Sequence, residues 1–415
     1  MQSLNNLPRT RYGASSPTQF HKRLEYLLKH LGNPHRTSTA FIQVGGTSGK
    51  GSTTLILNRI LHTAGYQTVS YTSPHISSVL DRFHVGTEVV SENVFVDCLN
   101  QVKDAFDSIL LHEDIEFPSY FDVTTAIALL IATRIKADYC ILEAGMGGTY
   151  DSTSIIPTKK LALLCPTGLD HTHILGDNIS SIARAHAGIT TNAERCFTTQ
   201  NSNEALKVIL KSASCSVSVV KDPVNIDIDW EGTEFTLGSE RYTTPLLGSH
   251  QAYNQALAIH GAQYLGVNTD TIKDSIKSIT LPARFEVFHG NPIIFLDSAH
   301  NKDKILATVS TLKKLNVEKI NLVVGFSHNK PHTFLKDALS GVTVNHVAAT
   351  RFSSNQYRTC RDPREIAQLF TSSSQSLHID SYDALTYVQG KYTHPVLVTG
   401  SCFLAGELRS KLMDS

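Results

Sequence analysis

The stretch VGGTSGKGSTT, Val44 to Thr54, has the make-up of a phosphate-binding loop, with one glycine too many. The usual pattern, G-x-x-x-x-G-K-[ST], places a hydroxyl directly after the lysine. Here Gly51 stands between Lys50 and Ser52. The preceding AFIQV (40–44) predicts a short strand, and GSTTLILNRILHTAG (51–65) predicts a helix closed by Gly65. Strand, glycine loop, helix is the context that phosphate binding needs. Successive backbone N–H groups can point at phosphate oxygens, and the helix N-terminus adds its dipole. Lys50 is placed to meet the outer phosphates, and Ser52 or Thr53 to offer a hydroxyl to Mg2+. The plainer alternative is a glycine turn before a helix, which leaves the lysine and the four glycines without a purpose.

The chain around this loop reads as α/β. TVSYT (68–72), DYCILEAG (138–145) and KLALLCPTG (160–168) are short, near-continuously apolar runs. Such strands suit a parallel sheet covered on both faces. YFDVTTAIALLIATRI (120–135) predicts a buried helix, and SENVFVDCLNQVKDAFDSILL (91–111) an amphipathic one. Between about 196 and 247 the texture changes to short strands and turns, a small β-rich addition. After HGNP (289–292), which reads as a linker, strand-to-loop segments resume. A length of 415 residues fits more than one domain. The expectation is a P-loop ATP-binding domain with a parallel-rich sheet over 1–285 and a smaller Rossmann-like α/β domain over 290–415.

Bulk properties narrow the function. Lys plus Arg equals Asp plus Glu, 37 each, so no net positive field invites nucleic acid or an anionic membrane. Seven cysteines without a C-x-x-C pair read as reduced thiols, and no apolar run suggests a signal peptide or a membrane span. A cytoplasmic protein is expected.

Two further segments carry candidate chemistry. ILEAGMGGTYDST ends a predicted strand at Glu143, and a carboxylate at a strand C-terminus is a reasonable Mg2+ ligand. PTGLDHTHILG puts Asp170 and His171 just past the next strand end. Each has a plainer alternative, a solvated acid and a structural histidine.

The segments KRLEYLLKHLGNPHR, GGTSGKGSTT, YTSPHISSVLDRFHV, PSYFD, LEAGMGG, GLDHTHILG, ARFEVF, LDSAHN and VTGSCFLAGELR occur in an order and spacing that resembles the folylpolyglutamate synthase/dihydrofolate synthase family, within the Mur ligase superfamily. The resemblance runs from about residue 20 to 410, and the glycine after the loop lysine is itself a family feature. It implies an ATP- and Mg2+-dependent amide ligase that adds L-glutamate to a folate or dihydropteroate through an acyl phosphate, working as a monomer. By that resemblance Gly46, Thr47, Gly49, Lys50, Gly51, Ser52 and Thr53 form the triphosphate loop. Ser73, Glu143 and His171 join Ser52 as the metal set. Gln251 and Asn254 contact the nucleotide, Arg284 reaches its phosphates, and Asp297 and His300 serve nucleotide binding and glutamate-side closure. The plainer alternatives are a surface ion pair for Arg284 and a helix N-cap for Asp297.

The family pattern is broken in places. Where relatives carry a lysine modified to a carbamate that helps hold a second Mg2+, this chain has His186, in ARAHAGI. Three readings are open: His186 ligates metal, the second metal is held otherwise or more weakly, or His186 is inert. Ser48 replaces an Asn, Thr149 an Arg and Asp122 a Glu. Besides the folate ligase, two other functions stay open: a Mur-type ligase for a different carboxylate, and a nucleotide-binding protein without turnover.

Overall fold

β1 (Ala40–Gly45) is the strand on which the first sheet is built. β5 (Tyr139–Glu143) and β6 (Leu161–Leu164) pair with it in parallel on either side. The computed structural model describes residues 17–109, 117–199, 202–353 and 359–414. The last two residues of the expected 91–111 helix, and residues 1–16, lie outside them.

Among the described residues, eight strands make this sheet. The others are β2 (Thr68–Tyr71), β3 (Phe83–Val85), β4 (Glu88–Val89), β7 (Cys196–Thr198) and β8 (Val217–Val219), and the order is β4-β3-β2-β5-β1-β6-β7-β8. β3 alone runs against the others, pairing antiparallel with both β2 and β4. β5 and β6 are almost wholly buried, as their continuous apolar sequence requires. The C-terminal ends of β1, β2, β5 and β6 lie side by side, and the loops that leave them carry residues 46–49, Ser73, the 144–148 turn and 165–171. Open parallel sheets build their ligand sites at this edge.

A buried charge pair ties helices to one another. Asp122 lies in the first turn of the helix Tyr120–Arg134, whose N-cap Ser119 forms a capping box with it. Its carboxylate takes the Arg23 Nε–H at 2.7 Å, the Ser119 N–H at 2.8 Å and the Ser152 hydroxyl at 2.6 Å. Arg23 comes from the helix Pro17–His30, and both side chains are almost fully buried. The Asp that departs from the family pattern is thus a saturated structural carboxylate.

The chain divides into two compact units. The first comprises Met1–Ser73, Leu80–Pro223 and Tyr253–Lys277, and the second Pro74–Val79, Val224–Ala252 and Ser278–Ser415. This departs from the expected boundary at 285. β7 and β8 stay with the first unit. The three-stranded antiparallel sheet of β9 (Val224–Asp229), β10 (Gly232–Leu237) and β11 (Glu240–Thr244) belongs to the second. The reason is apolar burial: Ile228 and Leu247 pack into the core that holds Phe285, Phe295, Ile305 and Leu312. HGNP is not a linker. It turns the hairpin between β12 (Glu286–Phe288) and β13 (Ile294–Leu296). The second unit's larger sheet continues through β14 (Lys319–Val324), β15 (Thr343–Ala349), β16 (Ser374–Leu377) and β17 (Val396–Thr399), in the order β12-β13-β17-β14-β15-β16. Among the described residues, no helix is long and apolar enough to cross a membrane.

Replacing Asp122 by Ala strands the Arg23 guanidinium in the interior. The expected cost is about 3–5 kcal/mol of unfolding free energy, read by urea denaturation. A loss within 0.5 kcal/mol, roughly the effect of an ordinary surface change, contradicts that account.

Candidate active site

The glycine loop is shaped by what touches its α-carbons. Gly46 has φ +118°, and a Cβ there would lie 2.6 Å from the Cys165 carbonyl oxygen. Gly49 has φ +93°, and a Cβ there would run into the Asn254 side-chain oxygen. Any side chain at these positions meets both steric conflict and left-handed strain. Gly49 is also the N-cap of the helix Lys50–Thr63 and offers no side-chain cap, so the first N–H groups of that helix lack a side-chain partner from the cap.

Gly51 explains the extra glycine. A Cβ there would come within 3.2 Å of Glu143 Oε2. The Glu143 carboxylate, buried at the end of β5, also accepts the Ser73 N–H at 2.7 Å. One carboxylate thus sits against the loop and the end of β2 together, with Ser52 buried in the next position.

The loop is fastened to the β6 end as well. The Thr47 N–H donates to the Pro166 carbonyl at 2.9 Å, the Thr47 hydroxyl to the Gly168 carbonyl at 3.1 Å, and the Gly168 N–H returns to the Thr47 hydroxyl at 3.0 Å. The Lys50 ammonium folds back onto the Gly46 carbonyl at 3.0 Å. Thr53 Oγ1 lies 3.4 Å from Cys165 Sγ, and burial pushes that thiol up to about 11, so it stays protonated. Sequence reasoning missed Thr167 and Gly168. A polar PTG at a strand end was the available signal.

His171 stands in the left-handed region at φ 51° and opens the short helix Thr172–Leu175. Its N–H donates to Asp170 Oδ1 at 2.9 Å. His186 is buried near the end of the helix Ile179–Ala187, with Nδ1 3.0 Å from the Thr167 hydroxyl. Burial pushes its pKa down to about 3, helped by the positive field of Lys50 and His171 and opposed by Asp170. The ring is therefore neutral at neutral pH.

Among the described residues no three His, Cys, Asp or Glu side chains gather as a metal cluster. The donors at hand are one buried carboxylate, Glu143, the Ser52 hydroxyl and the backbone N–H groups of a phosphate loop. That set suits Mg2+, which keeps several waters and takes one or two carboxylates plus phosphate oxygens. It does not suit a closed transition-metal site.

The remaining expected residues belong to the second unit, Asn254 excepted. Arg284 lies between Ala283 and Phe285, both in the left-handed region at φ 53°. Left-handed backbone at two side-chain-bearing residues is costly and needs support. Glu286 supplies some, accepting the Ala283 N–H at 2.8 Å and a two-pronged contact from Arg409. The Arg284 guanidinium donates to the Ser298 hydroxyl and is not a surface ion pair. Asp297 is buried and accepts from Thr308 and the Ala299 N–H; the N-cap of the helix Lys302–Lys314 is Asn301. His300 Nδ1 lies 2.8 Å from the Ser298 carbonyl. Gln251 is buried, and its N–H donates to the Gly248 carbonyl at 2.9 Å. Its neighbour His250, which sequence reasoning passed over, feels both Asp297 and Arg284, and its pKa is held down by burial.

His186 protonates more readily in the unfolded chain than in the folded one. The stability it carries is complete above about pH 6.5 and is lost as pH falls toward 3, by up to about 1.4 kcal/mol per pH unit. Replacement by Gln removes this slope. Between pH 7 and pH 5, the stability of the wild type should fall by about 2 kcal/mol more than that of H186Q, measured by urea unfolding of both. Parallel losses contradict the buried neutral ring.

Comparison with known proteins came to the same place. Residues 283–402 match the model of the Mur ligase, glutamate ligase domain. A probable bifunctional folylpolyglutamate synthase/dihydropteroate synthase from Halobacterium salinarum is 31% identical over 403 residues, which is 93% of this chain and 48% of that protein. The chain thus spans about half of that relative's length. A dihydrofolate synthase/folylpolyglutamate synthase from Buchnera aphidicola subsp. Schizaphis graminum is 30% identical, with 74% of this chain and 72% of that protein covered. The crystal structure of Mycobacterium tuberculosis folylpolyglutamate synthase, complexed with ADP and AMPPCP, has a TM-score of 0.87 at 23% identity, covering 99% of this chain and 97% of that one, and so shares the fold. With motifs, fold and loop geometry in agreement, the chain belongs to the dihydrofolate synthase/folylpolyglutamate synthase family of Mur-type ligases.

Proposed function

We propose that this protein is an ATP-dependent amide ligase that adds L-glutamate to the carboxylate of a folate or dihydropteroate. The observation that carries the reading is the glycine loop held against Glu143, with Gly51 leaving the space that a carboxylate, a metal and phosphates need. Similarity to relatives named for this activity supports the choice of substrates.

In this reaction the acceptor carboxylate attacks the γ-phosphorus of ATP and ADP leaves, giving an acyl phosphate. The glutamate amine then attacks the acyl carbon. Phosphate departs from the tetrahedral intermediate and the amine proton is lost to solvent or a base. Several anions must crowd together, so cations and N–H donors aimed at them do most of the work. Loop N–H groups from Gly46 to Ser52 and the uncapped helix start hold the phosphates. Lys50 exchanges its contact with the Gly46 carbonyl for a phosphate oxygen. Glu143, Ser52, Ser73 and His171 would hold Mg2+, which when bound would offset phosphate charge. Asn254 braces the loop at Gly49. In the second unit Arg284 suits the anionic groups of the nucleotide or the amino acid and Asp297 the amino acid's ammonium, with His300 nearby in sequence; His250, beside Gln251 in sequence, feels both Arg284 and Asp297.

A neutral His186 ring, with Nδ1 engaged by Thr167, brings none of the negative charge of an anionic oxygen ligand. We assign it to ordering the β6 end beside Lys50.

The test is ADP release by purified protein with ATP, Mg2+ and L-glutamate, with tetrahydrofolate or dihydropteroate as acceptor. Release is expected to require both acceptor and glutamate. Release only with some other carboxylate points to a different Mur-type acceptor, and ATP binding without any product points to lost turnover; either overturns the proposal. Lys50→Met should lower kcat/KM by about 100-fold or more, the scale of deleting one charged contact in a transition state.

A further inference from the structure

Lys159 has no place in the chemistry above, yet it is only 1% exposed. Its ammonium donates to Gln43 Oε1 at 2.7 Å and to the Ile189 carbonyl at 2.8 Å, both neutral acceptors. Burying a lysine is costly, and here burial pushes its pKa down to about 8. A fold that keeps such a group uses its hydrogen bonds.

Those bonds reach three first-unit segments of the candidate site. Gln43 lies in β1, three residues before Gly46, where the glycine loop begins to turn. With its carbonyl on Lys159, its amide must donate the other way, to the hydroxyls of Thr153 at 2.7 Å and Ser154 at 2.8 Å. The Thr153 hydroxyl passes to Asp151 Oδ1 at 2.5 Å, and Asp151 Oδ2 takes the Met146 N–H at 2.9 Å. Ser154 donates to the Gly148 carbonyl. Met146 and Gly148 follow Glu143 on the turn leaving β5. On the other side, Ile189 follows the helix that carries His186.

Ile189 is also where these segments meet without slack. A Cβ on Gly45 would lie 2.9 Å from Ile189 Cγ2, and one on Gly148 would lie 2.7 Å from the Ile189 nitrogen. Close-packed backbone transmits a displacement instead of absorbing it.

We propose that Lys159 is a positioning residue for the phosphate site, fixing the separation of the glycine-loop strand, the Glu143 turn and the His186 helix end through Gln43 and Ile189. This rests on the nucleotide reading above. The buried Asp151 carboxyl group is reached from the ammonium through Gln43 and Thr153, so the rack is a hydrogen-bonded chain drawn out across the base of the site.

The test is calorimetric titration of full-length protein with a non-hydrolysable ATP analogue and Mg2+, alongside urea unfolding. Lys159→Met keeps the stem and deletes the donors. Its affinity for the analogue is expected to fall about 10-fold, the effect of one misplaced set of contacts. Val102→Ala, a fully buried side chain on the helix Glu92–Ile109 and outside the core cluster that holds Ile189, serves as the stability control: it should unfold earlier and bind as the wild type does. Equal affinity of K159M and wild type overturns the proposal, whatever happens to stability. A loss of affinity shared by V102A makes the effect one of general destabilisation and also overturns it. If K159M does not yield folded protein, Gln43→Met decides instead: a 2- to 5-fold weaker binding, about 0.4–1 kcal/mol, supports the rack, and unchanged binding overturns it. Wild-type protein that fails to bind the analogue refutes the nucleotide reading itself, a distinct result.

Discussion

No side chain fits between Gly46 and the carbonyl of Cys165, and the rest of the site follows from that closeness. The end of β1 must run against the end of β6 so tightly that the loop leaves the sheet in a left-handed turn. That turn aims the loop's N–H groups outward over the strand ends. Thr47 then finds both Pro166 and Gly168 within reach, and Glu143 comes to rest on Gly51. A larger residue at any of these glycines would separate elements whose mutual contact is the site.

Two buried charges show how the same sheet tolerates ions. Arg23 and Asp122 meet directly, and the carboxylate also takes the Ser119 N–H and hydroxyl and the Ser152 hydroxyl. Lys159 and Asp151 do not meet; an amide and a hydroxyl carry the connection between them. A direct pair fixes one helix against another. A drawn-out pair fixes several segments at once, at the cost of requiring each intermediate group to keep its orientation.

Much of this was legible from sequence. The strand–loop–helix unit at 40–65, the buried helix after Ser119 and the continuously apolar β5 and β6 follow from local composition and period, which depend on near neighbours. Glu143 at a strand end was equally readable. Lys159 was not: in PTKKLALLC it looks like one of two exposed lysines before a strand, and only Lys160 is. Its burial depends on Gln43, more than a hundred positions earlier. The domain boundary failed for a related reason. Grouping by adjacency assigned 224–247 to the elements before it, whereas Ile228 and Leu247 find their apolar partners around Phe295. The role of Gly51 lay between the two cases: its presence was plain, but its reason, a carboxylate from β5, required the sheet.

The division of the chain has a consequence for how the protein is made. Residues 224–252 of the second unit leave the ribosome before 253–277, which the first unit needs for completion. The first unit therefore cannot close until part of the second has been synthesised and is waiting, with Ile228 and Leu247 lacking the core they will join. Co-translational folding, which proceeds domain by domain where units are continuous, is here interleaved. Until the core around Phe295 is made, the apolar side chains of 224–247 have no partner, and that is the stage at which a holding chaperone would have something to grip.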